Sequence, residues 1–179
     1  MSSVKHLQFS TTINAPAAVV WRHITSPGSY EHWTSAFAEG SRFEGSWEQG
    51  SRIRFLSPSG DGVVAEIAES RKDAFMSIRH LGFIANGIED TTSEAVRAWA
   101  PAYENYTLLA VPEGTRMVVD QDVAAVFVTG DLGDLKSPFA KSPIGLAFGL
   151  ERLQPLHRRP QLPRLQQILA GRNLIGNPL

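Results

Sequence analysis

The chain predicts an α+β fold in which an antiparallel sheet grips a helix, and three observations carry that prediction. A strand pattern beginning near Phe9 runs into a helix opened by proline. An aromatic-rich return through Tyr30, Trp33 and Phe37 then leads to a second strand that ends at Phe55. From Gly50 to about Val123 the sequence alternates with a period of two between short turns, as an antiparallel meander does.

Leu7, Phe9, Thr11 and Ile13 alternate with Gln8, Ser10 and Thr12, which marks a half-buried strand ending at Asn14. Asn14 is expected to cap the following helix, with Pro16 in its first turn, where a missing N–H costs nothing. Ala17, Val20, Trp21 and Ile24 are spaced three and four apart, so one helix face turns to the sheet. Thr25-Ser26-Pro27-Gly28 stops that helix, and the closely spaced aromatics beyond it predict a short helix or turn. Ile53 and Phe55 then share one strand face, with Arg52 and Arg54 on the other. Pro58 to Gly62 turns the chain into a strand with Val63, Ala65 and Ile67 on one face, followed by another that aligns Met76, Ile78 and His80. Strands over Tyr103–Val111 and Thr115–Val123, joined by Pro112-Glu113-Gly114, close the sheet as a hairpin with Met117, Val119 and Val123 on one face.

The connection from Ile84 to Pro101 is longer than a hairpin needs, and loops of that length tend to be lids or binding loops. Thr91-Thr92-Ser93-Glu94 fits a capping box with Thr91 as the cap, and Val96 and Trp99 follow three apart. Trp99 is read either as a plug in one end of the core or as a gate over a cavity. A gate predicts that Trp99→Ala changes ligand or dye binding more than stability.

Several motifs resemble one family. They are Ile13-Asn14-Ala15-Pro16 with Trp21, Trp33 to Phe37, Phe43 to Trp47, Gly50 to Phe55, Phe75 to Gly82, Trp99-Ala100-Pro101 and Glu104 to Leu108. As a set, over about residues 5 to 125, they resemble the bacterial START-like (SRPBCC) proteins related to the C-terminal domain of Hsp90 ATPase activators. The resemblance implies the START/Bet v 1-like helix-grip fold, residues 1–128 forming the sheet and N-terminal helices, and it admits a chaperone ATPase as partner. That family is defined by its fold far more than by one reaction.

Composition sets the outer limits. A length of 179 residues with 42% apolar content suits one core, and a net charge of -1 argues against nucleic acid as a partner. With no cysteine there is no disulfide, thiolate nucleophile or cysteine-bound zinc. No apolar run resembles a signal peptide or a membrane span, so a cytoplasmic location is expected. No phosphate-binding or dinucleotide glycine loop, HExxH or GxSxG is present. His6, His23, His32, His80 and His157 show no metal-ligand spacing, and Glu89, Asp90 and Glu94 are read as a solvated acidic cluster. No metal and no cofactor is expected.

The candidate site is a mainly apolar cavity lined by Trp33, Phe37, Phe55, Ile67, Met76, Ile78, His80, Trp99, Tyr106 and Met117. His80 is expected to point inward by its parity with Met76 and Ile78, so that His80→Leu keeps the fold and alters affinity for a polar head group. Glu104 and Tyr106 are placed on opposite sides of their strand, Glu104 at the rim, where they cannot act together. That placement leaves no acid–base pair for a cyclase or hydrolase and no catalytic residue to name. The favoured function is binding of a small apolar or amphipathic ligand. The alternative is an interaction module for an Hsp90-type ATPase, against which stands the absence of the separate N-terminal module that eukaryotic-type activators carry.

The tail departs from the resemblance where the gripped helix belongs. Residues 129–179 hold six of the 11 prolines, with seven basic and three acidic residues, a net of +4 that leaves -5 for the rest. Ser137-Pro138 and Ser142-Pro143 interrupt a continuous helix, leaving two short apolar pieces, Ile144 to Gln154 and Pro163 to Ala170. Either the tail is a divergent replacement for the helix, or it arises from a shifted reading frame and leaves an apolar face open to self-association. Translating the other two frames beyond the codon for Val128 separates these readings, since a shifted frame would reveal an amphipathic helix.

Overall fold

A computed structural model describes residues 4–35 and 39–124, and in it the alternating stretches pair into one curved antiparallel sheet of eight strands. The strands are β1 (Val4–Ile13), β2 (Arg42–Gly45), β3 (Arg52–Leu56), β4 (Gly62–Arg71), β5 (Phe75–Ala85), β6 (Ile88–Asp90), β7 (Ala102–Val111) and β8 (Gly114–Ala124). Their order is β1-β8-β7-β5-β4-β3-β2, with β6 paired to the far end of β5. Helices α1 (Ala17–Thr25) and α2 (Ser29–Thr34) connect β1 to β2, and α3 (Glu94–Arg97) lies between β6 and β7. The helix-grip sheet is therefore present. The gripped C-terminal helix, the two tail pieces and any self-association through them fall outside the described residues, as does Phe37.

Two register shifts in the β4–β5 pair, between Val64 and Ala65 and between Ile67 and Glu69, place Leu81 and Ala68 as extra residues. An extra residue bends a strand and reverses which side chains face the core. Met76, Ile78 and His80 point inward before the Leu81 bulge. After it Phe83 packs on the inner core, while Leu81 and Ile84 join Leu56 and Val64 in a small cluster on the outer face. Over that outer face Arg52 and Arg54 of β3 reach across β4 and β5 to the Glu89 carboxylate on β6, Arg54 Nη2 at 2.6 Å.

Three local expectations are corrected. Asn14 does not cap α1: Pro16 is the N-cap residue, with no side-chain cap, and its carbonyl accepts the N–H groups of Val19 and Val20. Thr91 does not cap α3. Ser93 does, its hydroxyl accepting the Val96 N–H, so Glu94 sits at the first helical position and cannot reach back as a capping box requires. The connection from Ile84 to Pro101 is not one loop, since β5 runs on to Ala85 and an Asn86-Gly87 turn folds β6 back onto it. Gly82 permits that return: a Cβ there would lie 2.0 Å from the Asp90 carbonyl oxygen.

Candidate functional site

Strand parity gathers the site on the inner face. On β7 the inward residues are Ala102, Glu104, Tyr106 and Leu108, all buried. On β5 they are Met76, Ile78 and His80, and on β8 Met117, Val119 and Gln121. Register brings Met76 opposite Tyr106, Ile78 opposite Glu104, and Gln121 opposite Glu104 from the other side. Helix α2 lays Tyr30 and Trp33 against this wall, the Tyr30 ring meeting Trp33 edge-on at 5.5 Å and stacking on Phe55 at 6.1 Å.

Nine of the ten residues predicted to line a cavity are thus brought together: Trp33, Phe55, Ile67, Met76, Ile78, His80, Trp99, Tyr106 and Met117 are all buried, the tenth being Phe37. His80 points inward, as its parity implies, 1% exposed and 5.1 Å from the Trp99 ring. Trp99 in turn stacks on Phe83 at 4.9 Å with planes 13° apart.

The placement of Glu104 and Tyr106 on opposite faces is wrong. They are two residues apart, so the period of two puts them on the same side. Glu104 is not at the rim but fully buried, and the Tyr106 hydroxyl donates to its Oε1. His80 Nε2 stands 3.5 Å from Glu104 Oε2. The fold therefore groups His80, Glu104 and Tyr106 on one side of the sheet. Burial, and then the Glu104 charge, raise Tyr106 well above the ordinary tyrosine range. The same two causes, with Glu31 third, raise Tyr30. Both phenols consequently remain protonated donors at neutral pH.

Tyr30 and Gln121 were missed as site residues. Counting in twos from Met117 and Val119 would have placed Gln121 inward. Nothing in the local pattern of Tyr30-Glu31-His32-Trp33 says that the Tyr30 hydroxyl would come within electrostatic reach of Glu104, because that depends on how α2 crosses the sheet.

The acidic residues of the β6–α3 segment have separate structural roles. Partial burial pushes the Glu89 carboxyl up, but hydrogen bonds and charge from Arg52 and Arg54 outweigh it and hold the group below its usual range. Asp90 accepts the N–H groups of Thr92 and Ser93, the Ser93 interaction being the larger cause of its lowered pKa. Among the described residues no set of three or more His, Asp or Glu side chains is placed to hold a metal, and no helix is long and apolar enough to cross a membrane. An open cleft of about 400 Å³ lies elsewhere, between Trp21 and Thr25 of α1, the Ser46–Gln49 loop, and Ser70 and Lys72. None of the predicted ligand residues lines it.

No family model and no curated protein matches the sequence. Solved structures do. A Mesorhizobium loti protein is similar at 16% identity with a TM-score of 0.58, covering 95% of this chain and 100% of its own. The Aha1 dimer from Colwellia psychrerythraea is similar at 14% identity and a TM-score of 0.50, over 65% of this chain and 75% of that one. A protein of the dynemicin biosynthetic locus matches at 19% identity with a TM-score of 0.49 over 66% of this chain, which spans only 37% of that protein's length. At such identities the likeness is one of fold, and the fold is the helix-grip-like curved antiparallel sheet.

Proposed function

We propose that the protein binds a small amphipathic molecule on the inner face of its sheet. One observation carries this reading: in a wall that apart from His80 is built mainly of apolar side chains, the Tyr30 hydroxyl, Glu104 Oε2 and Gln121 Oε1 are buried without a hydrogen bond. Each such atom costs about 1–3 kcal/mol if nothing completes it, and a ligand's polar group would do so. Phe55, Ile67, Met76, Ile78 and Met117 supply the apolar contact, and few polar groups orient the cargo, the usual balance of a ligand site.

A second reading, docking on an Hsp90-type chaperone ATPase, draws on the sequence resemblance and on the fold shared with the Colwellia protein. Native mass spectrometry of the purified full chain tests the two. A co-purified small molecule released on unfolding supports the first. An empty protein that forms a stoichiometric complex with such an ATPase overturns it in favour of the second.

A further inference from the structure

The three unspent polar atoms limit the head group that would complete them. The residues that carry them, Tyr30, Glu104 and Gln121, are 1%, 0% and 2% exposed, so water does not serve them from outside. Glu104 Oε1 already accepts the Tyr106 hydroxyl, which leaves Oε2 facing His80 at 3.5 Å. Gln121 stands directly across the β7–β8 pair from Glu104. The inventory is therefore one O–H donor and two acceptor oxygens, one of them on a carboxyl group.

Three head groups can be weighed against it. A carboxylate satisfies Tyr30 but brings only acceptors, and a negative charge, to Glu104 and Gln121. An ammonium satisfies both acceptors but offers no lone pair to the Tyr30 proton, and its desolvation costs far more than that of a neutral group. A hydroxyl donates once and accepts once, and carries no charge into an apolar wall.

We propose that the inner face selects a neutral amphipathic ligand through a hydroxyl head group, which donates to Glu104 or Gln121 and accepts from Tyr30, and that it discriminates against the carboxylate of the same chain length; this rests on the small-ligand reading above. The buried aromatic and aliphatic wall takes the apolar chain.

The test titrates the full chain with 1-dodecanol, dodecanoate and dodecylammonium below their aggregation concentrations at neutral pH, following tryptophan fluorescence or heat. Dodecanol is expected to bind about tenfold tighter than dodecanoate. Glu104→Gln, which keeps the side chain's shape but replaces one carboxyl oxygen with an amide NH2 that can donate to a carboxylate, is expected to shrink that preference to about threefold or less. The wild-type ratio stands by itself if this variant fails to fold. Equal or tighter binding of dodecanoate or dodecylammonium by the wild type overturns the head-group assignment and leaves ligand binding intact. Failure of all three probes to bind overturns the small-ligand reading, and the assignment with it.

Discussion

Glu104 shows how much one buried carboxyl depends on its neighbours. The Tyr106 hydroxyl donates to it, and Tyr106→Phe removes that donor while leaving the group fully buried. A loss of about 1–3 kcal/mol in urea unfolding is expected, because the cost is that of an unsatisfied buried acceptor rather than of an average hydrogen bond. Trp99 belongs to the same scale. It is 3% exposed and packed between Phe83 and His80, so Trp99→Ala is expected to cost about 3–5 kcal/mol, the range for a truncated core aromatic. That outcome makes it a plug. A loss near zero with altered dye binding would restore the gate.

At the scale of elements, pairing depends on positions where a side chain has no room. Gly82 on β5 faces the backbone of β6 so closely that a Cβ would meet the Asp90 carbonyl oxygen at 2.0 Å. Gly82→Ala is expected to detach β6 from β5, with faster hydrogen exchange from Ile88 to Arg97 and an overpacking loss of about 1–3 kcal/mol. The β1–β8 edge has a device of another kind. His6 lies between Asp122, at 3.2 Å, and Asp120, at 3.4 Å. The hydrogen bond to Asp122, opposed by slight desolvation and aided by Asp120, raises the His6 pKa above 6.5. A raised histidine pKa stabilises the fold below the unfolded value and loses that contribution as pH rises through the folded one. His6→Gln is therefore expected to lower stability at pH 6 but not at pH 8. The difference should stay under about 1 kcal/mol, because the pair is largely exposed and screened.

Across the molecule, an ion cluster links distant strands: Glu89 on β6 receives Arg52 and Arg54 from β3, with β4 and β5 between them. Its pKa is held below 4.5, so its contribution is present above that value and fades as pH falls through the lowered folded value. Acid titration of Glu89→Gln against the parent should show two stability curves that differ at neutral pH and converge as pH falls below the ordinary carboxylate range. Parallel curves would mean that Glu89 does not tie β6 to the rest of the sheet.

The succession of β1, α1, β3, β4, β5, β7 and β8, the inward parity of His80, and the gathering of Phe55, Ile67, Met76, Ile78, Tyr106 and Met117 on one face were all determined by the sequence alone. Alternation at a period of two reports which face a side chain takes, and turns at Pro58 to Gly62 and at Pro112 to Gly114 set the meander. Glu104 and Gln121 were readable by the same parity, and a correct count in twos places both inward. Other features were decided only by tertiary structure. The Leu81 bulge leaves no mark in local propensity, yet it turns Phe83 inward against Trp99. The return of β6 depends on its backbone pairing with β5, and the choice of Ser93 over Thr91 as cap on the Asp90 carboxylate that accepts the Ser93 N–H. The meeting of Tyr30 with the electrostatic reach of Glu104 joins residues more than seventy positions apart. Periodicity describes one element at a time, whereas which buried polar atoms end near one another is fixed by how helix and sheet pack.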